Sequence, residues 1–255
     1  MVGVSLLVVI PARFQSTRFP GKPLAILDGS PLIEHVWRRC CQAVDAADIV
    51  IATDDNRIAE VALEFGAAVE MTSSACLTGT DRVAEVANRR NADWYINVQG
   101  DEPFVRPAAI RTVIDATRSV PNKVAAINTM TVILEEADFR SESVPKPVTD
   151  IHGRLLYISR AAIPTDKRLR FHAAYRQIGL YAFRFSALQS YQPGAEKTPL
   201  ENVEDIEILR LLENGHQIQM VEVPSGGPAV DTPEDLQKAK VYLRSRKNRY
   251  PLSSD

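Results

Sequence analysis

A nearly unbroken apolar run, Val4-Ser5-Leu6-Leu7-Val8-Val9-Ile10, leads directly into Pro11-Ala12-Arg13-Phe14-Gln15-Ser16-Thr17-Arg18-Phe19-Pro20-Gly21-Lys22-Pro23-Leu24. A β-branched run of that length, bounded by proline, predicts a strand buried on both faces. The prolines and glycine that follow break any ladder and force an irregular loop at the strand's carboxyl end. That loop carries Arg13, Arg18 and Lys22, with the hydroxyls of Ser16 and Thr17, around Gly21. Open α/β sheets bind ligands at this edge, and fixed cations there suit a polyphosphate. A merely solvated basic loop is the competing reading. Neither G-x-x-x-x-G-K-[ST] nor G-x-G-x-x-G follows the strand, which weighs against a Walker ATPase and an NAD-type oxidoreductase.

The pattern after the loop alternates. Leu32, Ile33, Val36, Trp37 and Cys40 recur at helical spacing, and Asp48 to Thr53 reads as a second strand. Asp54-Asp55 is expected to cap the helix that carries Ile58, Val61 and Ala62 rather than to bind metal. Ala67 to Met71 is a short strand, and Gly79-Thr80-Asp81-Arg82 opens a helix with Thr80 as the expected cap. Trp94 to Gln99 then delivers Gly100-Asp101-Glu102-Pro103; a carboxylate just past a buried strand, beside glycine, suits a hard cation. This order predicts an α/β fold with a doubly wound, mostly parallel sheet.

From about residue 124 to 200 the pattern changes. Strands are expected at 124–134, 155–159 and 176–184 without long helices between them, an antiparallel extension suited to a lid or dimer surface. One amphipathic helix is expected from Glu201 to Asn214, with Val203, Ile206, Leu209 and Leu212 on one face and Gly215 as its stop. Gln217 to Val223 returns as a strand. Asp231-Thr232-Pro233 opens the last helix with Thr232 as cap, and the tail from Arg244 is expected to fray.

The 255 residues, 45% hydrophobic, suffice for one large α/β domain or two small ones, and a single domain over 1–255 is expected. A formal net charge of −2 argues against a nucleic-acid binder. Cys40, Cys41 and Cys76 form no C-x-x-C pair and read as reduced thiols of a cytoplasmic protein. The first apolar run is too short to span a membrane.

Three motifs together resemble the 3-deoxy-manno-octulosonate (Kdo) cytidylyltransferase family: the Pro11–Leu24 segment, Asn97-Val98-Gln99-Gly100-Asp101-Glu102-Pro103, and Val230-Asp231-Thr232-Pro233-Glu234-Asp235-Leu236. Gly79-Thr80-Asp81-Arg82, Ser159-Arg160 and Pro199-Leu200-Glu201 extend the likeness over nearly the whole chain. The resemblance implies a Rossmann-like nucleotidyltransferase in which the anomeric hydroxyl of an acid sugar attacks the α-phosphate of CTP, releasing pyrophosphate. It implies CTP held by Pro11, Ala12, Arg13, Ser16, Lys22, Thr80 and Arg82, with Arg13, Arg18, Lys22 and Asp101 catalytic, Mg²⁺ on Asp101 and Asp231, and a homodimer. Such chemistry asks the protein mainly to position and to neutralise charge. On residues alone, Asp231 also reads as a helix cap.

The same resemblance implies an acceptor pocket of Gln99, Lys146, Arg160, Gln177, Tyr181, Glu201 and Glu204, with Arg160 facing the sugar carboxylate. Tyr181 reads equally as core and Glu201 as a cap. Four places depart from the family pattern: Gln177 for His, Ile208 for Gln, Ala182-Phe183 for Gly-Tyr, and Ala229 for Gly. Lost polar groups change selectivity. An amino-Kdo, another ulosonic acid or a phosphonate therefore stays open as acceptor beside Kdo. A non-catalytic nucleotide-binding module is the alternative of another class, and joint retention of Lys22, Asp101 and Asp231 argues against it.

Overall fold

The computed structural model describes residues 4–192 and 195–249. Its first strand, β1 (Leu6–Ala12), lies inside the central sheet, with β4 (Ile49–Thr53) parallel on one side and β6 (Trp94–Val98) parallel on the other, after the short β2 (Ile26–Leu27) and β3 (Ser30–Pro31) pair as a separate hairpin. Alternation along β1 divides its side chains between two cores. Leu7 and Val9 pack with Val83, Val86 and Ala87 of α3 (Gly79–Ala87). Val8 and Ile10 pack with Ile33 and Val36 of α1 (Leu32–Cys41) and with Ile110 and Val113 of α4 (Pro107–Ser119). The continuous apolar run is thus explained by helices on both faces.

Beside β4, α2 (Asn56–Glu64) leads into β5 (Ala68–Met71), the sheet's edge. Asp55 caps α2, accepting from the Arg57 amide at 3.0 Å, as its position predicts. Beyond β6 the sheet continues through β10 (Tyr175–Arg184), then β7 (Val124–Val132), then β11 (Gln217–Glu222). Within this sheet only β10 runs antiparallel to its neighbours. Two of the strands expected in an antiparallel extension therefore complete the main sheet. The separate antiparallel piece is β8 (Lys146–Thr149) with β9 (Leu155–Ser159), which follows α5 (Glu136–Arg140).

The expected helix from Glu201 to Asn214 is two helices. After α6 (Phe185–Leu188), α7 (Pro199–Glu204) ends where Asp205 adopts the left-handed conformation (φ 51°), and α8 (Leu209–Glu213) begins afresh. Asp is one of the few non-glycine residues that visits this region readily. The break turns Val203 out to solvent while Ile206 and Leu209 stay in the core. The last helix, α9 (Pro233–Arg249), starts on a reciprocal cap between Thr232 and Asp235 and runs through Arg249, past the point where fraying is expected; the end of the tail lies outside the described residues.

Because β1, β4, β6 and β11 run the same way, the loops after all four open at one edge of the sheet. That edge is where residues distant in sequence meet.

Candidate active site

The loop after β1 folds back on itself at Gly21. Its φ of 69° lets the Gly21 amide donate to the Phe14 carbonyl at 2.8 Å, and a Cβ there would stand 3.1 Å from the Phe14 ring. A single 3-10 turn, Lys22–Leu24, follows and carries the Lys22 ammonium into the cleft. The loop after β6 approaches through Gly100, where a Cβ would lie 2.7 Å from the Pro11 carbonyl oxygen. The loop after β11 is tied to the same place by the Val230 amide, which donates to the Asp101 carbonyl at 2.9 Å.

These approaches place Lys22 between two carboxylates. Its Nζ donates to Asp101 Oδ2 at 2.8 Å and to Asp231 Oδ1 at 3.2 Å, while Arg18 Nη2 reaches Asp231 Oδ1 at 3.3 Å. Burial alone would push the Lys22 ammonium down, but Asp101 and Asp231 outweigh it and hold its pKa above the ordinary value. The cluster stays open, with the side chains of Lys22, Asp101 and Asp231 exposed by 16, 29 and 41%. Asp231 does not cap α9; Thr232 does. Behind Asp101, burial and then the Asp101 charge push the Glu102 carboxyl up to about 7.

The opposite wall begins at α3. Thr78, not Thr80, is its cap, in a reciprocal pair with Asp81 (Asp81 N to Thr78 Oγ1 3.2 Å, Thr78 N to Asp81 Oδ2 2.6 Å). A Cβ at Gly79 would stand 2.9 Å from Gln99 Oε1, so glycine lets α3 start against the β6 loop. The Arg82 guanidinium is held by Thr72 Oγ1 at 2.5 Å, the Ser73 carbonyl at 3.3 Å and Asp54 Oδ2 at 3.3 Å.

A third wall comes from β9 and the α7–α8 bend. Arg160 donates from Nε to the Glu204 carbonyl (2.6 Å), from Nη1 to the Glu142 carbonyl (3.1 Å) and from Nη2 to the Asp205 carbonyl (3.1 Å). Beside it, Lys197 Nζ lies 2.8 Å from Asp205 Oδ1. Glu207 accepts from the Thr80 hydroxyl and, at 3.3 Å, from its amide; burial pushes its carboxyl up, and those hydrogen bonds offset part of the rise. The three walls enclose about 640 Å³, within the range of a small-molecule site.

Of the residues expected from sequence, Pro11, Ala12, Arg13, Ser16, Arg18, Lys22, Arg82, Gln99, Asp101, Arg160 and Asp231 line this one cleft. The others stand behind it. Thr80 is buried and serves Glu207. Lys146 is sealed, donating to the Ser141 carbonyl at 2.8 Å and to the Arg160 carbonyl, and burial lowers its pKa. Glu204 accepts from Ser159 Oγ (2.5 Å) and the Arg160 amide (2.9 Å). Gln177 donates to Asn128 Oδ1 at 2.7 Å, and Tyr181 stacks on Phe183 in the core. Glu201 is fully buried, both carboxylate oxygens held by Arg210 at 2.6 and 2.8 Å. Ile208 is a core residue, not a wall of the cleft.

Lys197, Asp205 and Glu207 line the cleft without being foreseen as site residues. The crowding of acids at Glu201, Glu204, Asp205 and Glu207 is the signal that could have found two of them. One helix cannot solvate or bury four such neighbours alike.

A cation-bearing loop and two convergent carboxylates at the carboxyl edge of a mostly parallel sheet define a nucleotidyltransferase-type site. The family model described as cytidylyltransferase matches residues 7–218. A 3-deoxy-manno-octulosonate cytidylyltransferase of Syntrophotalea carbinolica is 41% identical over 250 residues, spanning 94% of this chain and 99% of that protein. One from Myxococcus xanthus is 43% identical over 240 residues, 93 and 96% of the two chains. The structure of CMP:2-keto-3-deoxy-manno-octonic acid synthetase complexed with CTP superposes with a TM-score of 0.88 at 36% identity, covering 95% of this chain and 99% of that one. The chain belongs to the 3-deoxy-manno-octulosonate cytidylyltransferase family.

Proposed function

We infer that this chain transfers the cytidylyl group of CTP to the anomeric hydroxyl of Kdo and releases pyrophosphate. The observation that carries this reading is Lys22 held between Asp101 and Asp231 on the floor of the cleft. Positioning the triphosphate and neutralising its charge make up most of what the protein must do for such a transfer. In this reading Arg13, Arg18 and Lys22, which line the cleft, would meet the phosphate oxygens, and Arg82 and the start of α3, on the opposite wall, would meet the rest of the nucleotide.

Asp101 and Asp231 fit Mg²⁺. Among the described residues no group of three or more His, Cys, Asp or Glu could hold a metal ion by itself. Two hard oxygen donors with an open side match a cation that completes its shell with phosphate and water. Bound there, Mg²⁺ would neutralise phosphate charge. Lys22, its Nζ now against both carboxylates on a flexible stem, would turn to phosphate oxygens entering the cleft.

The departures at Gln177 and Ile208 do not favour another acceptor, since neither side chain lines the cleft and the relatives above are named for Kdo. A homodimer is supported by Ile151 and Leu156, apolar side chains exposed on the β8–β9 hairpin. A cytoplasmic location fits the three free thiols, and among the described residues no helix is long and apolar enough to cross a membrane.

The test is pyrophosphate release by the purified chain with Mg²⁺, CTP and a panel of acid sugars including Kdo, with ATP, GTP and UTP as controls. Release with CTP and Kdo is expected; release with neither Kdo nor any other acid sugar contradicts the reading. Sedimentation equilibrium checks the dimer.

A further inference from the structure

The third wall of the cleft holds an anion of the protein's own. Asp205 has a carboxylate exposed by 75%, yet three cations from three different segments act on it. Lys197 binds it directly at 2.8 Å, and Arg160 and Arg18 add their fields; the Lys197 hydrogen bond leads in holding its pKa below the usual carboxylate range. A point where one cation binds a carboxylate directly and two more favour it, inside a cleft for an acidic substrate, is a place where a second carboxylate can exchange for the first.

The lip that presents this anion is built in advance. The left-handed Asp205 carbonyl and the preceding Glu204 carbonyl are both stapled by Arg160, and the Glu204 carboxylate accepts from the Arg160 amide and Ser159. Three of the five N–H bonds of Arg160 are spent on main-chain carbonyls. Arg160 thus contributes position and charge, whereas Lys197 has one donor on an exposed partner and the others free to turn. An exposed ion pair of this kind exchanges at little cost.

We propose that Lys197 is a specificity-determining residue that binds the carboxylate of the acceptor sugar, and that Asp205 holds Lys197 in the cleft until that carboxylate replaces it. The proposal rests on the functional reading above and names the part of the acceptor that the third wall reads.

The experiment is steady-state kinetics of the full chain with Kdo and with its carboxamide, in which the carboxylate is uncharged. Lys197→Ala is expected to raise the KM for Kdo roughly tenfold or more, the worth of a charge-assisted hydrogen bond, with the KM for CTP and kcat changed little. The carboxamide should react poorly with the wild type and no worse with Lys197→Ala, and Lys197→Arg should restore most of the Kdo affinity. Asp205→Asn, which removes the competitor, should lower the KM for Kdo by about two- to threefold. Equal losses for Kdo and the carboxamide would show a structural role and overturn the proposal. So would a rise confined to the KM for CTP. Absence of turnover by the wild type overturns the functional reading itself, whereas turnover with an unchanged acceptor KM in Lys197→Ala overturns this inference alone.

Discussion

Two ionic clusters in this molecule have nearly the same composition and opposite uses. At the cleft, Lys22 stands between Asp101 and Asp231; about α3, Arg210 stands between Glu201 and Asp81. The second is sealed, its side chains 1, 1 and 5% exposed, with Arg210 also lying 4.5 Å from the Tyr191 ring centroid. Sealed charges cannot leave their partners without stranding them in low dielectric, so this cluster fixes the start of α3 and the bend before α8. The open cluster has solvent to exchange with, so phosphate or a cation can take the place of any member. Burial, not residue type, decides which cluster is a frame and which is a site.

The largest effect expected is on the sealed cluster. Arg210→Met leaves two buried carboxylates uncompensated and should cost about 3–5 kcal/mol of stability, read from urea unfolding. A loss under 1 kcal/mol would mean that the cluster is not what holds α3. Next comes the open cluster, where Asp101→Ala and Lys22→Ala should each lower turnover roughly 100- to 1,000-fold while the melting curve barely moves. Intact turnover in either variant removes that residue from the mechanism.

Which cluster was legible in the sequence follows from the same contrast. Arg13, Arg18, Lys22, Asp101 and Asp231 could be read because each follows a strand of the parallel set, and parallel strands bring such residues to one edge whatever the packing elsewhere. Glu201 and Ile208 could not be placed, because their direction depends on a helix broken by one left-handed residue, Asp205. Thr78 against Thr80 as cap is a two-residue question of where α3 begins, which periodicity does not resolve. The reversed β10 inside the sheet is a tertiary choice: local pattern gives a strand, not its neighbours.

Ile208→Gln sharpens the contrast at a smaller scale. With Ile208 in the core, the change should cost about 1–3 kcal/mol by burying an unmatched amide and leave the ranking of acceptors untouched. A shifted ranking would put Ile208 back at the cleft.

The smallest effect is a pH dependence at the open cluster's back. The Glu102 carboxyl is pushed from an ordinary 4.5 up to about 7 by burial and Asp101. Below pH 4.5 both folded and unfolded chains hold this proton and its contribution to stability is complete. Between 4.5 and 7 the unfolded chain releases it first, so stability falls as pH rises, and above 7 the contribution is gone. Glu102→Gln should flatten that window by roughly 1–2 kcal/mol in metal-free protein, the side chain being half-buried rather than sealed. An unchanged slope would show that Glu102 ionises freely.

The most direct measurement is binding of Mn²⁺, as a paramagnetic substitute for Mg²⁺, followed by electron paramagnetic resonance with and without CTP. Wild type and Arg210→Met, the latter at a temperature where it is folded, should both take up the ion with CTP, whereas Asp101→Ala/Asp231→Ala should leave it in solution as free Mn²⁺·CTP. Uptake that survives loss of both aspartates would contradict the assignment of the open cluster as the site.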